Sequence, residues 1–593
     1  MRIRSSHVAL VILGLSAPLA PAFADGCKLE QLAELAVTMS GLRPMVATKI
    51  NGADALFIAD SGAFFSIITA ASAAQFKLKL RPAPFGLKVE GVGGEAEISA
   101  TTVDEFTLAN IAVHHLEFIV GGSEPGGSAA GLLGQNVFRI ADVEYDLANG
   151  AIRLMRPDEG CREAVLAYWV KSQPYSVLKI NRPSAASPHT TGIALLNGAR
   201  IRVVFDTGAE TSILTLRAAK SAGVTLDGKG VVRAGHSYGI GRRTVDTWIA
   251  PFSSLKIGDE EIHDTRLRIG EVELTNGDML IGADFFLSHR IYVANRQGKL
   301  YFTYNGGPVF NLANSPLPRA GTDSPENSPQ STEGAQEPAD AAGFSRRGAA
   351  YAARRDFEHA IADLTRACQM EPGEAKYFYQ RALARLNNRQ PSLAMADLDA
   401  TLKLEPDHLN ALVARAELRL SGPDKSAAPS DLDAADRLAP KEANIRLGIA
   451  DAYSRADLFA PAVAQYDLWI AAHKEDAKLA AAMNGRCWAR ALSGNDLDKA
   501  LADCNAAVKI SRDSAQFLDS RGLVLLRLGK FDESIADYDA ALKRQPGNAW
   551  SLYGRGLDKL RKGMAPEGQA DIDAAKALRP QIANEAAHYG IVP

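Results

Sequence analysis

The sequence lacks several features that define common classes of protein. It has 5 cysteines among 593 residues, too few for a disulfide-rich mini-protein. Its 66 basic and 69 acidic residues nearly balance, so the basic excess of a general nucleic-acid binder is missing. Beyond the N-terminal region, no apolar run approaches the roughly 18 residues of a membrane-spanning helix. With 47% apolar residues and a mean hydropathy of −0.09, the composition indicates a soluble globular protein. This length predicts about three to five folding units.

Motifs for cofactors and metals are scarce as well. There is no phosphate-binding loop ending in Gly-Lys-Ser/Thr. His114 and His115 are adjacent in a predicted strand, so their side chains point to opposite faces, and no paired Cys or His motif accompanies them. We therefore expect neither a metal site nor an organic cofactor.

Residues 1–24 have the pattern of a signal peptide. Arg2 and Arg4 precede an apolar run, residues 8–15, and Ala22-Phe23-Ala24 forms a small-x-small cleavage site. We expect export to a bacterial periplasm, or secretion, with no membrane span after signal removal. An uncleaved anchor is the alternative, which the shortness of the run disfavours.

Export makes the cysteines informative, because disulfides persist in oxidising compartments. Cys27 and Cys161 bracket one compact segment, and we predict a disulfide between them. Cys487 and Cys504 lie one helix apart in a predicted helical repeat, and their pairing stays open. Cys368 is interpreted as a small buried side chain.

A long segment of the chain occurs twice. Residues 51–69 and 197–215 align at an offset of 146, and farther along the offset becomes 148. The shared positions are Asn51/Asn197, Gly52/Gly198, Asp60/Asp206, Gly62/Gly208, Ala63/Ala209, Ser66/Ser212, Thr69/Thr215, Gly91/Gly239, Gly93/Gly241, Leu132/Leu280, Gly134/Gly282 and Gly150/Gly298. Ordered matches over a hundred residues indicate two copies of one fold.

Both copies have the pattern of β structure. Short β-branched and aromatic runs alternate with Asn-Gly, Gly-Gly and Gln-Gly turn signals, without a long 3.6-residue period. We predict β domains at residues 25–158 and 174–305. Residues 306–340, rich in Pro, Ser and Glu, hold too few large apolar side chains to pack and are predicted to be a linker.

A second repeat, of 34 residues, follows. It is marked by one aspartate per unit, with glutamine in the fourth, and the step from the fourth unit to the fifth is 38 residues. The marker residues are Asp363, Asp397, Asp431, Gln465, Asp503, Asp537 and Asp571. The spacing resembles the tetratricopeptide repeat (TPR) family. The resemblance implies an all-α TPR solenoid of about seven units over residues 341–581, with residues 582–593 as a tail.

The candidate residues for acid–base chemistry are Asp60 and Asp206, each at the end of an apolar strand. A buried carboxylate is costly unless its protonation is controlled. If the two meet between the copies, the pair will hold one proton, which supplies a general acid and a general base together. Which aspartate plays which role stays open.

Asp-Ser/Thr-Gly-Ala, a glycine-rich segment and an aliphatic-aliphatic-Gly segment, in that order, resemble the retropepsin-like aspartic proteases. The resemblance covers both copies and implies two tandem all-β acid-protease barrels that form a single-chain pseudo-dimer. It implies Asp60 and Asp206 as catalytic residues that activate water for peptide hydrolysis. The residues expected to support their loops are Ser61, Gly62, Ala63, Thr207, Gly208 and Ala209. The flap candidates are Gly91, Gly93, Gly94, Gly239 and Gly241. The wall behind the loops is expected to contain Leu133, Gly134, Ile281 and Gly282.

Together these features predict an exported aspartic endopeptidase whose TPR array binds partner or substrate proteins. The alternative is a periplasmic adaptor that binds peptides without cleaving them. A third arrangement, in which each copy pairs with its twin in another chain, is also left open.

Overall fold

A computed structural model describes residues 26–310 and 337–593, except 124, 125, 127, 171, 172, 183, 185–187, 238, 242, 276, 512 and 513. The predicted signal peptide and most of the predicted linker lie outside the described residues. The fold class is confirmed: two β domains precede an all-α array.

The first β domain is a closed barrel. Its strands β2, β3, β10, β4, β9 and β8 pair in that order, and β2 also pairs with β8. The elements are β1 (Leu29–Ser40), β2 (Arg43–Ile50), β3 (Ala53–Ala59), β4 (Ile67–Ile68), α1 (Ala70–Gln75), β5 (Arg81–Pro82), β6 (Val89–Gly91), β7 (Gly94–Ala96), β8 (Ile98–Leu108), β9 (Ile111–Gly121), β10 (Ala129–Leu133), α2 (Gln135–Phe138), β11 (Asp142–Asp146) and β12 (Ala151–Pro157).

The second β domain repeats this barrel. The order is β14, β15, β20, β16, β19 and β18, closed by β14 with β18. The elements are β13 (Ser176–Lys179), β14 (Thr191–Leu196), β15 (Ala199–Phe205), β16 (Ile213–Thr215), α3 (Leu216–Ser221), β17 (Val232–Ser237), β18 (Val245–Ile257), β19 (Glu260–Gly270), β20 (Met279–Ile281), α4 (Ala283–Ser288), β21 (His289–Ala294) and β22 (Lys299–Tyr304). The predicted Asn-Gly turns join β2 to β3 and β14 to β15, with Asn51 and Asn197 at positive φ.

One shared sheet holds the two barrels together. The strands β13, β22, β21, β11, β12 and β1 pair in that order, so β21 of the second copy lies beside β11 of the first. In this antiparallel pair, Glu144 is opposite Tyr292. The Glu144 side chain is fully buried and accepts hydrogen bonds from Arg153 at 2.6 Å and from Arg290 at 2.7 Å. An ion pair therefore joins the copies at the centre of the shared sheet.

The array consists, within the described residues, of seven antiparallel helix pairs and one more helix. The helices are α5 (Ala341–Ala353), α6 (Phe357–Met370), α7 (Ala375–Asn387), α8 (Pro391–Leu404), α9 (Leu409–Ser421), α10 (Ala428–Leu438), α11 (Ile445–Arg455), α12 (Phe459–Ala472), α13 (Leu479–Ser493), α14 (Leu497–Ile510), α15 (Ala515–Arg527), α16 (Phe531–Arg544), α17 (Ala549–Arg561), α18 (Ala565–Leu578) and α19 (Ile582–His588). Residues 582–593, predicted as a tail, thus begin with a helix, and Ile591 beyond it is buried.

The aspartate that marks each repeat forms a bidentate pair with an arginine of the preceding helix. Nε and Nη2 of the arginine donate to the two carboxylate oxygens over 2.5–3.0 Å. The pairs are Arg347–Asp363, Arg381–Asp397, Arg415–Asp431, Arg486–Asp503, Arg521–Asp537 and Arg555–Asp571. In the fourth repeat Arg446 donates instead to Gln465. The conserved spacing of the marker therefore reflects a repeated ion pair.

Among the described residues, α5 and the loop between α12 and α13 contact the β domains. Ala349, Ala350 and Ala353 of α5 are buried in the same apolar cluster as the barrel cores. In the loop between α12 and α13, Ala477 N donates to Ser123 Oγ at 3.3 Å. This loop lies within the 38-residue step.

The structure pairs four of the five cysteines, among them the predicted pair Cys27 and Cys161. A disulfide joins Cys27 to Cys161, and a second joins Cys487 in α13 to Cys504 in α14. Cys368 is a buried free thiol. None of the described helices is long and apolar enough to cross a membrane.

Candidate active site

Each aspartate lies directly after one strand of its barrel. Asp60 follows β3, and its N–H donates to Leu133 O at 2.9 Å; Asp206 follows β15, and its N–H donates to Ile281 O at 2.9 Å. Leu133 and Ile281 are fully buried, so each aspartate loop rests on a rigid apolar strand. Leu133 and Ile281, two of the four residues predicted for the wall, thus lie directly behind the aspartate loops.

The glycine after each wall residue also contacts the aspartate loop. A Cβ on Gly134 would lie 2.8 Å from Ala63 O, and one on Gly282 would lie 2.8 Å from Ala209 O. The aligned residues Ser66 and Ser212 accept hydrogen bonds from the N–H groups of these glycines, at 3.0 and 2.9 Å. Glycine is required because the two backbones pass so close together.

Hydroxyl groups cross-link the two aspartate loops. Ser61 N donates to Thr207 Oγ1 and Thr207 N donates to Ser61 Oγ, each at 3.0 Å. The same hydroxyls donate onward, Ser61 to Phe205 O at 2.9 Å and Thr207 to Ala59 O at 2.6 Å. Each loop is thus tied to the strand that leads into the other, which keeps the two carboxyls in register.

The carboxyls face each other across two glycines. A Cβ on Gly62 would lie 2.2 Å from Asp206 Cγ, and one on Gly208 would lie 2.2 Å from Asp60 Cγ. Gly62 N and Ala63 N donate to Asp60 Oδ1, both at 2.8 Å. Gly208 N and Ala209 N donate to Asp206 Oδ1 at 2.9 and 3.2 Å. The structure thus brings together all eight predicted residues of the two loops in one chain.

The electrostatics of the pair are those of two acids that share a proton. Burial raises the pKa of Asp60 well above its usual range, and the charge of Asp206 and a hydrogen bond to it raise this pKa further. Burial also raises the pKa of Asp206, while the hydrogen bond from Asp60 lowers it. Two neighbouring carboxyls cannot both ionise cheaply, so one proton remains on the pair.

The flap candidates of the two copies meet at their tips. Gly93 N donates to Ile240 O at 2.9 Å, and Arg243 N donates to Gly93 O at 3.0 Å. Gly93 also faces Gly241, whose carbonyl would lie 2.7 Å from a Cβ at position 93. Gly91 and Gly94 border the turn between β6 and β7, whereas Gly239 lies beyond β17. Gly241 O also accepts from Ser123 Oγ at 2.7 Å, and Ser123 Oγ in turn accepts from Ala477 N in the loop between α12 and α13.

Several neighbours of the dyad were not found by sequence reasoning. Gln135 Nε2 donates to Ser61 O at 2.6 Å. The buried Tyr145 hydroxyl is hydrogen-bonded to Ser61. His189 is hydrogen-bonded to the backbone of Gly62 and interacts with the charge of Asp206. His189 lies outside the short motifs. The sequence marks its position only as the one aligned with Arg43 at the offset of 146.

A serine-hydrolase pattern is present but lies in an unsuitable element. Residues 235–239 read Gly-His-Ser-Tyr-Gly, which fits the nucleophile-elbow string. Ser237 ends β17 in the flap region, not a strand that turns directly into a helix. The string therefore has no support as a second catalytic site. Among the described residues, Cys27, Asp158 and Cys161 form a cluster of metal-ligand types, but its two cysteines are disulfide-bonded.

Comparison with protein families agrees with this architecture. Residues 46–137 and 193–285 each match the family model described as aspartyl protease, and residues 515–548 match the tetratricopeptide repeat model. The chain therefore carries two aspartyl protease family domains and a TPR array, which confirms both predicted resemblances.

Two of the similar solved structures are described as TPR proteins. A TPR protein from Parabacteroides merdae is 14% identical, covering 42% of this chain and 98% of its own, with a TM-score of 0.34. YrrB, described as a TPR protein with an unusual peptide-binding site, is 16% identical, covering 38% and 97%, with a TM-score of 0.22. These TM-scores are too low to support a conclusion about this chain. Comparison with curated proteins finds no match.

Proposed function

We propose that this protein is an exported aspartic endopeptidase in which Asp60 and Asp206 activate a water molecule for peptide hydrolysis. The observation that carries the proposal is the pair of buried carboxyls facing each other across Gly62 and Gly208, with loops cross-linked through Ser61 and Thr207. Because both copies lie in one chain, the site needs no second subunit to supply an aspartate.

The shared proton determines the chemistry. The ionised carboxylate takes a proton from a water held between the two aspartates, and the water attacks the carbonyl carbon of the scissile peptide bond. The protonated carboxyl donates to the carbonyl oxygen as the tetrahedral intermediate forms. Collapse of that intermediate breaks the C–N bond. The carboxyl that took the proton from water gives it to the nitrogen, which leaves as an amine, and the other aspartate regains a proton from a hydroxyl of the intermediate as the product carboxyl group forms.

The flaps support a gated cleft. Their tips interlock through Gly93, Ile240 and Arg243, so a polypeptide can reach the dyad only when these hydrogen bonds open. The cleft then excludes water around the bound peptide. In this proposal the TPR array binds partner or substrate proteins and raises the local concentration of substrate.

Export is proposed from two features. The signal-like segment, residues 1–24, precedes a fold with two disulfides, Cys27–Cys161 and Cys487–Cys504. Disulfides persist in oxidising compartments such as a periplasm. Mass spectrometry of the protein recovered from a periplasmic fraction should find Asp25 as the first residue. Recovery of the intact chain in the cytoplasm would contradict export.

The decisive experiment is cleavage of a diverse peptide library by residues 25–593 across pH 3–8, beside Asp60→Asn and Asp206→Asn. We expect cleavage by the parent chain and loss of it in both variants. Ser237→Ala is the control, since the serine string should not contribute. Equal cleavage by all four proteins would indicate a contaminating protease. Folded protein that binds peptides but leaves them intact would overturn the proposal in favour of the adaptor.

A further inference from the structure

The duplicated domains allow each position of the site to be compared with its twin. The register is the same in both copies: Met45 is opposite Ile58 in the first barrel, and Thr191 is opposite Val204 in the second. Both residues of the second pair stand 146 positions after those of the first. Positions 43 and 189 are therefore structural counterparts, as are positions 64 and 210.

These counterparts form contacts across the two domains. In one half of the site, Arg43 of the first domain forms an ion pair with Glu210 of the second. In the other half, His189 of the second domain lies against Phe64 of the first, with ring centroids 6.2 Å apart at an interplanar angle of 71°. The same geometric contact thus joins two opposite charges on one side and an imidazole and a phenyl ring on the other.

This difference changes the field at the dyad. The charge of Arg43 is balanced by Glu210, whereas Phe64 offers no charge to balance an imidazolium at position 189. His189 is also hydrogen-bonded to the backbone of Gly62, whose Cα lies against the Asp206 carboxyl. Asp206 is the charged group that acts on His189 among the described residues; Gly62 and Phe64, on the opposing loop, are uncharged. The imidazole therefore favours negative charge on Asp206 rather than on Asp60.

We propose that His189 is a positioning residue that holds the negative charge of the dyad on Asp206, so that Asp206 is the general base and Asp60 the general acid. Burial lowers the pKa of His189 below its usual range, although Asp206 and the hydrogen bond to the Gly62 backbone oppose the decrease. His189 is protonated on the acidic side and loses its charge as pH rises. The preference for negative charge on Asp206 over Asp60 is therefore strongest at acidic pH and weakens as His189 loses its proton.

The roles of acid and base rest on the proposed function, so the first test does not use activity. NMR titration of the His189 imidazole in residues 25–593 is compared with that in Asp206→Asn and Asp60→Asn, with His189→Gln used to assign its resonance. We expect Asp206→Asn to lower the pKa of His189 by about one pH unit, because a neighbouring negative charge is lost. Asp60→Asn, which leaves Asp206 ionised, should not lower it. An equal decrease in both variants, or none in Asp206→Asn, would overturn the inference.

The second test measures the pH profile of kcat. His189→Arg keeps a cation, as at position 43, and should leave the acidic limb, where Asp206 takes up a proton, close to that of the parent chain. His189→Gln should move the acidic limb to higher pH by about one pH unit, because Asp206 loses the cation that lowers its pKa, with a smaller change in KM than in kcat. His263→Gln, an exposed histidine of β19, is the control and should leave the profile unchanged. An acidic limb that does not move in His189→Gln, or that moves equally in His189→Arg, would overturn the inference. If no protein cleaves peptides but the NMR responses appear, the proposed function fails while the coupling of His189 to Asp206 stands.

Discussion

The two halves of this chain bury aspartates in opposite ways. In the array, each marker aspartate is clamped by an arginine 16 or 17 residues earlier, and its charge is balanced within one repeat. In the β pair, Asp60 is buried against a second carboxyl, so burial and, after it, the charge of Asp206 raise its pKa. The contrast separates a carboxylate used for stability from one held ready for proton transfer.

The arginines of the array also reach the preceding repeat. Nη1 of Arg415 donates to Asp399 at 2.8 Å, and Nη1 of Arg555 donates to Asp539 at 2.7 Å. Each such guanidinium joins three helices. The repeated ion pair therefore links each repeat to the next. Burial of the aspartate dyad, in contrast, lowers the stability of the fold at one place.

The largest expected effect comes from the same substitution made in each half. Asp60→Asn should reduce kcat by about 10³-fold or more, because one of the two proton-transfer groups is lost. It should also raise Tm at pH 7, since burial of an acid beside another acid disfavours the folded state. Asp537→Asn should lower Tm and leave kcat close to that of the parent. For both variants, calorimetry measures Tm and peptide cleavage measures kcat. If Asp60→Asn lowered Tm as Asp537→Asn does, the proposed contrast would be wrong.

The next largest effect concerns the approach of the loops. Gly62→Ala would place a methyl group 2.2 Å from Asp206 Cγ, so the loops must separate. We expect kcat to fall by about 100-fold, because misplacement of reacting groups by an ångström has an effect of that size. Gly448→Ala in α11 is the matched control, since a Cβ there meets nothing within 4 Å. Cleavage by Gly62→Ala at the rate of this control would contradict the close contact.

A smaller effect is expected from the ion pairs of the array. Arg521→Ala leaves the buried carboxylate of Asp537 without its bidentate partner and should lower the free energy of unfolding by roughly 2–3 kcal/mol. Lys543→Ala, at an exposed position of α16, controls for the loss of a positive charge. Urea unfolding followed by circular dichroism measures the difference. Equal midpoints for the two variants would show that the pair contributes nothing to stability.

The smallest predicted effect is a pH dependence within the array. Burial raises the pKa of Asp558 to about 7. The folded state therefore holds this proton more tightly, and the stabilisation present at acidic pH is lost as pH rises toward 7. Asp558→Asn should remove this loss, which we expect to be roughly 2 kcal/mol.

Asp571 provides the opposite sign. Although burial would raise its pKa, hydrogen bonds from Arg555 and Lys559 lower it. Asp571→Asn should therefore remove stabilisation that is present at neutral pH and lost on acidification. Unfolding curves at pH 5 and pH 8 measure Asp558→Asn, and curves at pH 5 and pH 3 measure Asp571→Asn, because the pKa of Asp571 is lowered. Parallel pH dependence in the two variants would contradict the assigned directions.

Much of the fold could be predicted because duplication makes it visible. The offset of 146 aligned Asp60 with Asp206, and the 34-residue period marked the helix pairs. Both signals arise from local contacts that recur in each copy. The shared sheet could not be predicted in this way, since the pairing of β11 with β21 joins segments 146 or more residues apart and leaves no local pattern.

The candidate site was predictable only in part for a similar reason. The loop residues stand in short motifs, so Ser61 and Thr207 were found with their aspartates. Arg43 and His189 lie outside those motifs and reach the site from the opposite domain. Their partners depend on how the two copies face each other, which no motif encodes.

The fusion of both copies into one chain has a genetic consequence. In a homodimer, one codon specifies both twins of every position, so each mutation enters the site twice. Here Arg43 and His189 have separate codons, as do Phe64 and Glu210. Each half-site can therefore drift or adapt independently, and a heritable asymmetry can accumulate around two aspartates that remain equivalent in sequence.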